Sequence, residues 1–131
     1  AGRVFCGAVP HQTVPQVLNG LDVFVALSRR ESFGVAILEA SACGRPVVVS
    51  DADGLAELTR DGETGFVVES GDPEQASQRL YRLVTDTALR QTMGAAGRAH
   101  VQAHYTWQRS LDAMMQAYEQ TIRAHRRAAG P

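Results

Sequence analysis

Short apolar blocks alternate with polar ones along this chain, and their spacing sets out the elements. Arg3-Val4-Phe5-Cys6-Gly7-Ala8-Val9 predicts a short buried strand or strand end, followed by Pro10 and His11 as loop. Thr13 is placed to cap a short helix through about Asn19, with Val14, Val17 and Leu18 on one face and Gly20 at its end. Asp22 to Leu27 reads as a second strand, apolar throughout as expected when both sheet faces are covered. A polar loop, Ser28–Ser32, leads to a predicted helix from about Gly34 to Cys43, closed by Gly44. Pro46-Val47-Val48-Val49-Ser50 is the clearest strand. The Asp51–Gly54 loop precedes a short helix around Leu55–Thr59, Asp61-Gly62-Glu63-Thr64 is a turn, and Gly65-Phe66-Val67-Val68 is the last short strand.

Beyond that point the pattern is helical. Asp72 reads as an N-cap, Pro73 as the first helical residue and Gln75 as the partner in a capping box, with Ala76, Leu80, Leu83 and Val84 as the core face. A second helix is expected from about Ala88 to His100–Ala103, weakened by Gly94 and Gly97. A third follows Thr106, with Leu111, Met114, Met115, Tyr118 and Ile122 at helical spacing, Trp107 stapling it to the domain and the Met pair packed in the core. Its tail should fray after about Arg126. Strands alternating with helices imply an α/β fold: a partial doubly wound, Rossmann-like parallel sheet with helices on both faces and a helical C-terminal tail.

Composition narrows the chemistry. The 131 residues are one domain's worth of chain, and a formal net charge of -1 without a long like-charge run gives no reason to expect nucleic acid as a partner. All basic residues are Arg, which excludes Lys-based Schiff-base or P-loop chemistry within this stretch. Cys6 and Cys43 make no disulfide framework and read as small buried residues, which suits a cytoplasmic setting. No signal peptide or membrane-length apolar run is visible, and the opening Ala1-Gly2-Arg3 reads as an excerpt of a longer protein or an engineered piece.

The densest chemistry is Glu31-Ser32-Phe33-Gly34-Val35-Ala36-Ile37-Leu38-Glu39, where two carboxylates flank a strand-to-helix junction. Loops at the carboxyl ends of strands are where open α/β sheets bind ligands. A helix beginning at Phe33-Gly34-Val35 presents amides without intrahelical partners and the positive end of its dipole, both suited to a diphosphate, with Gly34 allowing close approach. Carboxylates repel phosphate and accept from hydroxyls. Glu39, in the second turn, is therefore assigned to ribose hydroxyls, and Glu31, in the loop, to those of a transferred sugar. A loop Glu and a solvent-facing helical Glu would produce the same spacing, so the surrounding pattern carries the weight. His100 and His104 are four apart but read as ordinary helix-surface histidines; His11 falls near the proposed site, with donor or acceptor contact as the alternative to a plain loop role, and Arg29 and Arg30 read as solvated loop residues.

That pattern resembles the C-terminal domain of retaining GT-B glycosyltransferases, specifically glycosyltransferase family 4 (glycosyl transferases group 1). The resemblance runs from about Val4 to Tyr118: the E-x7-E element Glu31 to Glu39, Asp22-Val23-Phe24-Val25 before it, and Glu39-Ala40-Ser41-Ala42-Cys43-Gly44-Arg45-Pro46-Val47-Val48 from it onward. Asp61 to Val68, Gly71-Asp72 and Tyr105-Thr106-Trp107 also match. The resemblance implies transfer of a sugar from a UDP-sugar or GDP-sugar to an acceptor hydroxyl with retention, without a catalytic metal or other cofactor. It implies that Glu31 acts on the donor sugar, that Ser32, Phe33, Gly34 and Val35 line the sugar and phosphate, that Glu39 holds the ribose, and that Gly7 to Val9 lie near the base. Leu27 stands before Ser28 where the family often has Pro, and Asp53-Gly54 replaces a usual Gly-Gly, bringing a carboxylate near the donor site.

The same resemblance implies missing parts. The phosphate-binding Arg and Lys and the acceptor-binding domain would lie upstream, so residues 1–131 alone should bind donor weakly and be catalytically inactive. The family's usual strand order, 3-2-1-4-5-6, leaves strands 3, 4, 5 and 6 here, with an open edge at strand 4 that favours homo-oligomers. Peripheral membrane association would belong to the full-length protein. A related GT-B nucleotide-sugar epimerase and a non-catalytic fragment that folds or associates are the alternatives.

Overall fold

Val47, Val48, Val49 and Ser50 are all buried, and the sheet is organised around them. The computed structural model describes residues 2–52 and 54–128. Its sheet has three parallel strands in the order β1 (Phe24–Ala26), β2 (Val47–Ser50) and β3 (Gly65–Val68), with Phe24 opposite Val47 and Val47 opposite Gly65. Successive β2 side chains point to opposite faces, so one strand feeds two cores. Val47 and Val49 pack with Leu18, Ile37, Ala40, Leu55 and Leu58, and Val48 packs with Phe66, Val68, Ala76, Leu83 and Met93. The first face is covered by α1 (Val14–Asn19), α2 (Val35–Ala42) and α3 (Leu55–Leu58), the second by α4 (Pro73–Thr85) and α5 (Thr87–His104). The α/β class and the placement of these elements agree with the sequence pattern.

The first expected strand does not form. Arg3 to Val9 is irregular and exposed, with Phe5 at 92% and Cys6 also exposed. An apolar run becomes a strand only when a neighbour pairs its backbone groups, and β1 pairs with β2 alone among the described residues. The sheet therefore has three strands rather than four, and β1 is shorter and more exposed than a strand covered on both faces, with Val25 in solvent. Thr13 stands at the N-cap of α1, but its hydroxyl donates to the Pro10 carbonyl at 2.8 Å and does not cap. Of the expected α1 face, only Leu18 is buried.

Caps explain the later boundaries. Gly44 closes α2: its N–H donates to Ser41 O at 2.9 Å and that of Arg45 to Ala40 O at 3.0 Å, the paired bonds of a Schellman turn. Asp72 Oδ1 accepts from the Gln75 N–H at 2.9 Å, whereas Gln75 Oε1 reaches back to the Glu69 N–H at 2.6 Å, past the Asp72 amide that a capping box would use. That bond ties α4 to the end of β3. Val84 is 65% exposed and is not part of the α4 core face. The α6 helix (Trp107–Ala128) continues past Arg126 to Ala128, and Trp107 to Arg127 are all exposed. Trp107 does not staple the helix and Met114 and Met115 are not core residues, because no other element packs over that stripe among the described residues. No helix among the described residues is long and apolar enough to cross a membrane.

Gly94 and Gly97 turn out to serve packing. A Cβ on Gly94 would overlap the Gly44 carbonyl oxygen, so α5 crosses the end of α2 at backbone contact, whereas a Cβ on Gly97 would meet its nearest atoms at an ordinary 3.5 Å. Gly94→Ala is expected to destabilise the protein by about 1–3 kcal/mol through overpacking. Gly97→Ala should be neutral or stabilising by up to about 1 kcal/mol, the helix preference of Ala over Gly. Denaturant midpoints check both, and an equal drop in the two variants would contradict the close crossing.

Candidate functional site

The loop from the carboxyl end of β1 to α2 is held at its start, its middle and its end. The Ser50 hydroxyl donates to the Ser28 carbonyl at 2.5 Å, which ties the loop to β2. The half-buried Glu31 turns its carboxylate back to accept from the Ser32 N–H at 3.0 Å. Ser32 and Phe33 are exposed. Gly34 is buried in the left-handed conformation, φ +83°, as the N-cap of α2, and a Cβ there would lie 2.9 Å from Leu55 Cδ2. Its bare side is thus filled by α3. The steric freedom that the sequence reading gave to an incoming phosphate is used for packing, which leaves only the Gly34 backbone for a ligand.

A glycine N-cap has no side chain to satisfy the helix start, in contrast to Asp72 on α4 and Asp86 on α5. The Ile37 N–H donates to Gly34 O at 3.0 Å, and those of Val35 and Ala36 have no acceptor among the described residues. They carry the positive end of the α2 dipole. The buried face of α2 is Ile37, Ala40 and Ser41, so Val35, Ala36, Glu39 and Ala42 lie on the other. Glu39 stands four residues after Val35 on that face, about 6 Å along the helix axis. An anion at the two amides and a hydroxyl donor at the carboxylate fit this order.

Glu39 lines a cavity of about 200 Å³ with His11, Val14, Pro15, Leu18, Ala42 and Cys43, between α1 and α2. Glu31 is not in its walls. The two carboxylates flank the start of one helix, but this cavity belongs to Glu39 alone of the two. Gly7 and Val9 are on the exposed segment leading to His11, Gly7 with φ +63° and open space where a Cβ would be. Cys43, the C-cap of α2, stands four residues after Glu39, and the packing of α1 on α2 brings in His11, which the sequence already places near the site. Arg29 lines a separate cavity of about 280 Å³ at the strand ends, with Leu27, Ser50 and Glu69 to Pro73. Asp53, expected near the donor, lies outside the described residues.

Comparison with known proteins finds this chain similar to glycosyltransferases. The model of the family "Glycosyl transferases group 1" matches residues 3–100. The D-inositol 3-phosphate glycosyltransferase of Salinispora arenicola is 34% identical over 120 residues, covering 89% of this chain and 27% of that protein. The sucrose-phosphate synthase of Thermosynechococcus elongatus superposes with a TM-score of 0.86 at 33% identity, over 92% of this chain and 30% of that one. Anabaena Alr3699/HepE, solved in complex with UDP-glucose, superposes with a TM-score of 0.62 at 31% identity, over 68% of this chain and 25% of that one. The chain thus spans less than a third of each of these proteins.

Away from this face, no group of three His, Cys, Asp or Glu suited to a metal occurs among the described residues. The His100 and His104 rings lie 4.8 Å apart. His100 is half-buried rather than a surface residue, and its Nδ1 is buried without a partner. Burial, reinforced by the charges of Arg60 and His104 and opposed by Glu63, holds its pKa below the ordinary 6.5. The folded state therefore disfavours the imidazolium that the unfolded chain forms. The resulting stability is complete above the unfolded value of 6.5 and is lost as pH falls below it. Thermal melts from about pH 7 to about pH 5 should fall more steeply for the wild type than for His100→Gln; parallel profiles would contradict this.

Proposed function

The chain belongs to the glycosyl transferases group 1 family, and on that premise we propose that it is the donor-binding portion of a retaining glycosyltransferase. The reading places it in the C-terminal domain of a longer cytoplasmic polypeptide whose other domain takes the acceptor. The donor is a nucleoside diphosphate sugar. Uridine is favoured by the UDP-glucose bound to the Anabaena relative, with guanosine as the alternative base. The observation that carries the reading is Glu39 one turn below two amides that have no acceptor among the described residues, on one exposed face of α2.

In this reading the diphosphate accepts from Val35 and Ala36 N–H at the helix start, beside Ser32, Phe33 and Gly34. The Glu39 carboxylate accepts from the ribose hydroxyls, and the base extends toward His11 and the Gly7–Val9 segment. Glu31 accepts from hydroxyls of the transferred sugar. The bond from the sugar's anomeric carbon to the diphosphate oxygen breaks and the acceptor oxygen bonds to that carbon from the same side. The acceptor proton passes to the departing diphosphate. The protein's part is placement and charge stabilisation. Residues 1–131 contain no Lys, and Arg29 lies on the other cavity, so the diphosphate requires cations from elsewhere in the polypeptide.

Isothermal titration of the full-length protein with UDP and GDP tests this. Glu39→Gln is expected to weaken binding of the preferred nucleotide about 10- to 100-fold, as a lost charge-assisted hydrogen bond requires. Glu31→Gln should leave nucleotide affinity within about 2-fold and lower donor turnover instead. Unchanged affinity in Glu39→Gln would overturn the reading. Residues 1–131 alone should bind UDP more weakly than micromolar, and micromolar binding would show that the upstream cations are not needed.

A further inference from the structure

Gly54 sits where the β2–α3 loop meets the loop that carries Glu31. It is the N-cap of α3 at φ +77°. A Cβ at this position would lie 3.1 Å from Ser32 O, 3.2 Å from Ser32 C and 3.3 Å from Glu31 O. What it would meet is backbone, which cannot swing aside as a side-chain tip can. Two residues further along the same loop, Gly34 rests on the Leu55 and Leu58 methyls. The segment Glu31–Gly34 therefore lies against the start of α3 at one end and against its leucines at the other, each contact made through a glycine.

We propose that Gly54 is a positioning residue for sugar transfer: by abutting the Glu31–Ser32 peptide, it fixes the direction of the Glu31 carboxylate and of the first α2 amides. The role rests on the donor reading given above. Its logic is geometric. The Glu31 carboxylate is bonded to the Ser32 N–H, so it moves with that peptide. Displacing a positioning group by about 1 Å can cost about 100-fold in rate. Glu39, a turn further on and anchored by the buried face of α2, is not held by this contact.

Gly62 supplies the control. Its φ is also positive, +78°, in the Asp61–Thr64 turn, with nothing within 4 Å of a Cβ. Alanine meets a positive φ at both positions, but only at Gly54 does its Cβ also press on the donor loop. The test is hydrogen exchange with mass spectrometry on the full-length protein, alongside UDP binding and hydrolysis of UDP-glucose. In Gly54→Ala, peptides spanning Glu31–Ile37 should exchange about tenfold faster or more and turnover should fall about 10- to 100-fold, with UDP affinity held within about 3-fold. Gly62→Ala should match the wild type in all three. If Gly54→Ala does not fold, Leu55→Val loosens the same loop from beneath and should shift exchange and turnover in the same direction. Indistinguishable behaviour of the Gly54 and Gly62 variants would overturn the proposal. If the loop loosens as expected but UDP leaves Val35–Glu39 unprotected in the wild type, the donor reading itself fails, and the proposed role with it, while the contact stands.

Discussion

The start of α2 rests directly on α3, and the geometry of the candidate site follows from that contact. Gly34 has no side chain, so Leu55 and Leu58 reach its Cα and the first turn of α2 is pressed onto the core. With a glycine at the N-cap, no side chain among the described residues accepts from the first amides. Val35 and Ala36 N–H are left outward on the face that also carries Glu39. One residue choice thus secures packing below and leaves hydrogen-bonding capacity above.

The rest of the domain keeps that helix start in place. Because β2 is buried on both faces, Val47 and Val49 support α2 and α3 while Val48 supports α4. The Schellman turn at Gly44 and the backbone contact at Gly94 pin the other end of α2 against α5. By contrast, β1 has a free edge among the described residues and α6 has an uncovered apolar stripe.

Much of this was legible in the sequence, for specific reasons. The four-residue run Val47–Ser50 could only be a buried central strand, and Asp72-Pro73 fixed the start of α4. The spacing of Glu31 and Glu39 around a glycine located the helix start. What could not be read was tertiary. The apolar run at Val4–Val9 looks like a strand but has no partner, and the α6 stripe looks like a core face but has nothing packed upon it. The bare side of Gly34 looked available to a ligand until α3 was seen to fill it. The sequence places His11 near the site, but the cavity it shares with Glu39 comes from the packing of α1 on α2, which no local spacing encodes.

The central claim is that this helix start, with Glu39 below it, holds a nucleoside diphosphate. Its most direct test is a crystal structure of the full-length protein with UDP or GDP bound. The account expects the diphosphate within hydrogen-bond reach of Val35 and Ala36 N–H and a ribose hydroxyl on the Glu39 carboxylate. A nucleotide seated instead in the Arg29 cavity at the strand ends, with Glu39 left to solvent, would contradict it.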